Sequence, residues 1–245
     1  MSRARLRAWL SALLLAAAAA AAARAEPDIG VVTQPEFRGA LGRRVSGVER
    51  QLLFRQPVYL DETVTTGPQG STAVQFLDDT RLQVGAEATV VLDRFLYDPD
   101  GDAGALAITL GKGIFRFVTG RMPKQAILIR TPTASIGVRG TRAILLVDRD
   151  GSTAAYVVDG LLLFAGCDGR TYEVGGRQSA RVEADCLRSR LVPGRLVPQD
   201  PAVEQDVPAL AGLLPGPVPL GERGQRDRHR GGPGMDRGGR RGQGA

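Results

Sequence analysis

Histidine is almost absent from this chain of 245 residues, which contains one, His229, close to the C-terminus. Triads built on histidine and histidine-ligated metal sites both need an imidazole inside a folded domain. His229 lies in a stretch of Gly, Arg, Asp and Gln whose composition cannot bury a hydrophobic core. The sequence therefore excludes Ser-His-Asp catalysis, Cys-His catalysis and histidine metal sites from the rest of the chain.

Cysteine is also scarce, with two residues, Cys167 and Cys186. They form no CxxC pair, and a zinc site would need partners that the chain lacks, so neither redox catalysis nor structural zinc is expected. If residues 175–178 form a four-residue loop, Val174 faces Ser179, and the same register places Cys167 opposite Cys186. An oxidising compartment would then join them in a disulfide; the alternative is two free thiols without a role.

Long apolar runs are confined to the N-terminus. Three arginines precede an alanine-rich run of 16 residues, Ala8–Ala23, and small residues at positions 23 and 25 form a cleavage motif. This pattern predicts a signal peptide over residues 1–25, cleaved after Ala25, and a periplasmic protein with no stable membrane span after cleavage. The alternative is a retained anchor, although the run is shorter than the roughly 20 residues that span a bilayer.

Basic residues are concentrated at the two ends of the chain. The net charge is +6. Residues 1–25 carry +4 and residues 221–245 carry +4, and subtracting both leaves −2 for residues 26–220. The basic tail contains no aromatic residue on which bases could stack. No nucleic-acid partner is therefore expected, despite a pI near 10.

Glycine and proline are abundant instead, with 32 and 15 copies, and they separate short runs rich in β-branched and aromatic residues. No window of about 11 residues in this region favours the helical period. We predict an all-β domain over residues 45–190, built as two facing sheets of short strands in a sandwich- or coil-like arrangement. The predicted strands are Val45–Phe54, Thr72–Leu77, Arg81–Val84, Thr89–Tyr97, Ala105–Leu110, Gly113–Val118, Ala126–Arg130, Ala134–Val138, Ala143–Val147, Thr153–Val158, Leu161–Ala165, Thr171–Val174 and Ser179–Val182. The predicted turns include residues 67–70, 78–79, 98–102, 148–151, 159–160 and 175–176.

The stretch 129–141, IRTPTASIGVRGT, lies in the middle of this domain. Proline cannot donate to a β-ladder, and glycine accepts positive φ or a close backbone approach. The stretch is therefore predicted to be a sharp bend or bulge between strands that frames the domain and could also be a contact surface. For Arg139, the alternative is a surface charge or an internal pair with a turn aspartate. The candidate residues of this bend are Pro132, Gly137, Arg139, Gly140 and Thr141.

The segments on either side of the domain lack a periodic apolar pattern. Residues 26–44 are predicted to be an extended lead-in, with at most one short strand at Ile29–Thr33. Residues 191–220 contain seven prolines, which is typical of a stiff linker. Residues 221–245 are predicted to be a disordered tail.

Aspartate clusters are the remaining candidates for chemistry. Asp98, Asp100 and Asp102 alternate as in a calcium loop, but Ala103 and Thr109 stand where an EF-hand needs Gly and Glu. A hydrolase would need two carboxylates within about 5–10 Å of each other. We predict no catalytic residue, metal or cofactor. The carboxylates weighed for hydrolysis are Asp78, Asp79 and Asp93.

Several segments, in a consistent order and spacing, resemble a FecR domain. The resemblance spans residues 52–164 and includes the stretch 129–141, with Asp159 where the family usually has Glu. The other segments that carry it are Thr63–Ser71, Phe76–Gly85, Val91–Tyr97, Leu110–Phe117 and Val157–Gly160.

The resemblance implies a non-enzymatic periplasmic domain. In the iron-citrate type of regulator, such a domain receives a signal from an outer-membrane TonB-dependent transporter, and a cytoplasmic segment passes it to a sigma factor. Seven residues precede the apolar run here, so we expect an exported FecR domain without the cytoplasmic anti-sigma segment. The expected function is regulatory binding to an envelope protein, with a transporter-type partner as one candidate. The alternative is a structural or polysaccharide- or peptidoglycan-binding envelope protein.

Overall fold

A computed structural model describes residues 27–204, apart from residues 35, 37, 101, 102 and 124. The predicted signal peptide, residues 205–220 of the predicted linker and the predicted disordered tail lie outside the described residues. In the part that is described, no helix has the length and apolarity that a bilayer crossing requires. The elements are β1 (Asp28–Val32), β2 (Arg38–Arg43), β3 (Glu49–Gln51), β4 (Pro57–Tyr59), β5 (Thr63–Phe76), β6 (Arg81–Val84), β7 (Thr89–Tyr97), β8 (Gly104–Leu110), β9 (Gly113–Val118), β10 (Ile127–Arg130), β11 (Ala134–Val147), β12 (Thr153–Gly166), β13 (Thr171–Gly175), β14 (Gln178–Val182), β15 (Ser189–Pro193) and the helix α1 (Pro201–Glu204).

Two long bent strands, β5 and β11, close the structure into a ring. The hydrogen-bonded order is β10-β8-β7-β5-β6-β9-β11, and pairing of β10 with β11 completes it. The first half of β11 pairs with β10 and its second half with β9, so β11 belongs to both of two facing sheets. β5 does the same between β7 and β6. The predicted all-β fold of two facing sheets is confirmed.

The core lies between the two sheets, where alternate residues of each strand point inward. Phe76, Phe115, Phe117 and Phe164 are fully buried there. The first sheet, as we call it, contains β7, β8, β10, β13 and the adjoining halves of β5, β11 and β12. The second sheet contains β6, β9, β14, β15 and the other halves of the same long strands.

Two segments predicted as turns lie inside long strands. Residues 67–70 are part of β5, and residues 159–160 are part of β12. At both places the ladder register shifts, between Arg38 and Ala40 in β2 and between Arg139 and Arg142 in β11. Glycine supports a bulge as readily as a hairpin turn, so the composition of these segments did not distinguish the two.

The predicted hairpin between β13 and β14 is wrong, although the disulfide that it suggested is confirmed. Both strands pair with β12, Val174 opposite Leu162 and Ser179 opposite Tyr156, because they follow the bend of that strand together. Cys167 and Cys186 are bonded all the same, with their Cα atoms 5.3 Å apart. They lie in the turns after β12 and after β14, so the disulfide joins the ends of the two sheets.

The residues after β14 extend the fold beyond the predicted domain boundary. β15 runs across position 190, and residues 194–204, here called the C-terminal strap, fold back over the outer surface of the second sheet. Val197 and Val203 of the strap are buried against Ile114, Ile144 and Ala154. This path accommodates its prolines because neither Pro193 nor Pro201 is at a position that needs a backbone N–H. Pro193 ends an edge strand, and Pro201 begins a helix.

Candidate binding face

The predicted bend is a set of separate features along β10, β11 and β12. Gly140 has φ +60° and lies in the bulge of β11, and Gly160 has φ +91° in the facing position of β12. A Cβ on Gly160 would overlap the carbonyl oxygen of Gly140 and lie 2.8 Å from Thr141 Cα. A Cβ on Gly140 would meet nothing within 4 Å. Gly160 therefore provides the close approach at the bend, and Gly140 provides only the backbone conformation.

Thr141 replaces the ladder hydrogen bonds that the bulge interrupts. Its side chain is buried, and its hydroxyl donates to the carbonyl oxygen of Leu161 at 2.7 Å and accepts from the Leu161 N–H at 3.2 Å. Its own N–H donates to Thr119 Oγ1 at 3.0 Å, and its carbonyl accepts from the Thr119 N–H at 3.0 Å. These bonds make Thr141 part of the frame of the domain.

Pro132 lies apart from the bulge, in the turn between β10 and β11. The Thr131 N–H donates to the Ala134 carbonyl at 2.9 Å, and Thr131 Oγ1 accepts from the Ala134 N–H at 2.9 Å. Thr133, next to the proline, hydrogen-bonds Thr153 at 2.8 Å. Pro132 is exposed at the edge of this threonine cluster.

The carboxylates weighed for hydrolysis are held by protein hydrogen bonds. Asp78 is fully buried and accepts bonds from the Thr80 hydroxyl at 2.5 Å and the Met122 N–H at 3.2 Å. Burial raises the pKa of Asp78, and these hydrogen bonds oppose that rise. Asp79 pairs with Arg121 at 2.8 Å, and Asp93 accepts from the Thr109 hydroxyl at 2.7 Å.

The outer surfaces of the two sheets differ in their cover. On the second sheet the strap buries Ile114 and Ile144, and Arg116 Nη1 donates to the Glu204 carbonyl oxygen at 2.8 Å. On the first sheet, Leu163 is 45% exposed and Leu96 is 53% exposed. β11 contributes to both outer surfaces. Among the described residues, its second half is covered by the strap and the outer side of its first half is open.

We call the open surface the Gly137 face. Its middle row crosses six strands through directly paired residues, with Gly137 between Leu128 and Leu163. Ala107 and Arg94 continue the row on one side, and Glu173 ends it on the other. The face consists of Arg94, Leu96, Ala105, Leu128, Arg130, Ser135, Gly137, Arg139, Leu161, Leu163 and Glu173, with the buried Ala107 in its floor.

Three arginines surround the apolar centre of this face. Arg94, Arg130 and Arg139 are exposed on three different strands, and none of them has an ion pair or hydrogen-bond partner among the described residues. The neighbouring Arg142, by contrast, pairs with Asp159 at 3.6 Å. The predicted pair with a turn aspartate is therefore made by Arg142 and not by Arg139. Arg139 is an exposed surface charge.

The fold itself does not require a glycine at position 137. Gly137 lies in the regular part of β11 and is not among the glycines with positive φ. An added Cβ would make only ordinary contacts, the nearest being Leu163 Cβ at 3.6 Å. Glycine in a strand interior weakens the strand, and it often marks a place where another molecule approaches closely. Gly137 therefore leaves a shallow depression in an apolar floor with a positive rim.

Sequence reasoning singled out Gly137 and Arg139 but missed Arg94, Leu128 and Leu163. Their alternation with buried neighbours on predicted strands could have shown that they point outward. It could not have shown that they share one surface, because that depends on the parallel pairing of β8 with β10.

Residues 62–162 match the family model described as FecR protein. No curated protein sequence matches the chain. Two crystal structures of a candidate anti-sigma factor from Parabacteroides distasonis are similar to it, at 14% and 13% sequence identity and a TM-score of 0.44. Each match covers 54% of this chain and 59% of that one, so this chain spans less than two thirds of their length.

Proposed function

We propose that the protein is a periplasmic regulatory module without enzymatic activity, because residues 62–162 match the FecR family model. It acts by binding an envelope protein on the Gly137 face. The predicted signal peptide delivers it, and a mature N-terminus at Glu26 in the exported protein is the expected sign of that route.

The observation that carries the proposal is the unequal cover of the two sheets. The chain uses its own C-terminal strap to bury apolar residues on the second sheet. It leaves Leu163, Leu96 and three arginines open on the first. An apolar centre with a polar rim is the usual anatomy of a protein-binding surface. The carboxylates Asp78, Asp79 and Asp93 are occupied by contacts within the protein, which supports a binding role better than a catalytic one.

Photo-crosslinking in intact cells tests this function. A benzoylphenylalanine placed at Leu163 should capture the same envelope protein reproducibly, as identified by mass spectrometry. The matched control is Leu196, which is 37% exposed but lies on the strap. Equal products at the two positions, or no protein product at Leu163, would contradict the proposal.

The alternative role in polysaccharide binding predicts a different result. Cosedimentation with purified peptidoglycan should retain the protein if the arginines of the face bind glycan. Retention that is lost in Arg130→Glu would favour this alternative. We expect the protein to remain in the supernatant.

A further inference from the structure

We propose that the occupant of the Gly137 face is an acidic, extended stretch of polypeptide that carries an apolar side chain between its carboxylates. This inference rests on the proposed function, because it names the partner of the same face. It follows from the charge, the spacing and the floor of the surface.

The rim of the face is positive. Arg94, Arg130 and Arg139 have no acidic partner among the described residues. Two carboxylates stand against these three positive charges, Glu173 at the far edge on β13 and Asp93, which accepts from the Thr109 hydroxyl at 2.7 Å, so positive charge remains in excess. Unpaired charges on an interface select a partner of opposite sign and speed its association.

The spacing of the arginines favours a chain over a compact anion. Arg94 and Arg130 are separated by two strand spacings across the sheet and by two residues along the strand. At ordinary sheet dimensions their Cα atoms are therefore about 12 Å apart. Arg130 and Arg139 lie on adjacent strands, but Arg130 pairs with Ser135, four residues away from Arg139. Their Cα atoms are therefore about 14 Å apart. Successive acidic residues of an extended segment can contact arginines spread over this distance one after another, whereas a single small anion does not neutralise all three charges.

The floor between the arginines is apolar. Leu128 and Leu163 flank Gly137, and the absent side chain leaves room for one inserted group. An apolar side chain of a polypeptide fits this depression, and a purely anionic sugar polymer has no such group. The floor therefore favours a peptide that combines carboxylates with at least one apolar residue.

The other candidate occupants are disfavoured by charge. Residues 221–245 of the same chain carry a net +4 and would be repelled by the arginines. The same face of a second copy would bring Arg94, Arg130 and Arg139 against their own counterparts. An acidic partner avoids both conflicts.

Fluorescence anisotropy tests the partner's chemistry with defined probes. A fluorescein-labelled copolymer of Glu and Leu should bind the full-length protein, and raising NaCl from about 50 to about 300 mM should weaken it severalfold. Labelled polylysine should not bind. The variant Arg94→Glu/Arg130→Glu/Arg139→Glu should bind the copolymer at least tenfold more weakly.

The matched control reverses three exposed arginines elsewhere, in Arg43→Glu/Arg188→Glu/Arg190→Glu, which changes the net charge equally. It should retain the wild-type affinity, and equal melting temperatures will show that both variants are folded. Equal loss in the two variants, no binding of the copolymer, or tighter binding of labelled polygalacturonate would overturn the inference.

The crosslinking experiment separates this inference from the proposed function. If Leu163 captures a protein and the joined peptide is rich in Asp and Glu, both stand. If the captured peptide is neutral or basic, the function stands and the acidic partner is wrong. If no protein is captured, the proposed function itself fails.

Discussion

Two residues of the bend, Gly140 and Gly160, share positive φ but differ in their surroundings. A Cβ at Gly160 would overlap backbone, while a Cβ at Gly140 would face open space. We predict that Gly160→Ala lowers the free energy of unfolding by about 3 kcal/mol, because strain and overlap add. Gly140→Asn should lower it by less than about 1 kcal/mol, since asparagine visits the left-handed region.

Urea denaturation of the purified variants measures both changes. Gly140→Val should fall between them, because a β-branched side chain is strained at φ +60° although it has space. If Gly140→Asn were as damaging as Gly160→Ala, the open surroundings of Gly140 would not describe the folded state.

Asp78 should make the stability depend on pH in a defined direction. Burial raises the pKa of Asp78 above its ordinary value of 3.8. The folded protein then holds the proton more tightly than the unfolded chain does. The resulting stabilisation is present below pH 3.8 and is lost as the pH rises through the folded pKa.

The variant Asp78→Asn has no such titration. The free energy of unfolding of wild type, relative to that of Asp78→Asn, should therefore be highest in acid. It should fall as the pH rises. Parallel urea titrations between about pH 3.5 and pH 7 measure it. A difference that instead grows with pH would mean that the hydrogen bonds from Thr80 and Met122 outweigh burial.

At the scale of elements, the strap is expected to contribute to stability. Val203 of the strap is fully buried against the second sheet, whereas Leu196 on the same segment is 37% exposed. We predict that Val203→Ala lowers the free energy of unfolding by about 2 kcal/mol, because two buried methyl groups are lost. Leu196→Ala should change it by less than about 0.5 kcal/mol. Similar small losses in both variants, measured by thermal and urea denaturation, would mean that the strap is not packed in solution.

The predictable part of the elements was their local pattern. The predicted strands Thr89–Tyr97 and Gly113–Val118 coincide with β7 and β9. The register between distant strands was not predictable in this way, because a glycine pair such as 175–176 permits either a hairpin or a continued bent strand. The disulfide was predicted from a register that proved wrong, because β13 and β14 both pair with β12 and not with each other.

At the scale of the whole molecule, the sequence predicted the all-β fold class and the resemblance to the FecR family, whose model matches residues 62–162. It did not predict the Gly137 face, since that surface combines side chains of six strands that span residues 94 to 173. Nor did it predict the strap, because its prolines are typical of a linker when they are considered without the surface that they cover.

We propose that the Gly137 face binds a partner and is not needed for the stability of the fold. Gly137→Val tests it most directly, by measuring thermal stability and Leu163 crosslinking yield in one protein. Valine suits a strand and has space, so the free energy of unfolding should rise by about 0.5–1 kcal/mol. The inserted side chain should at the same time fill the depression and abolish capture of the partner. A stabilised variant with unchanged capture, or a destabilised one, would contradict the account.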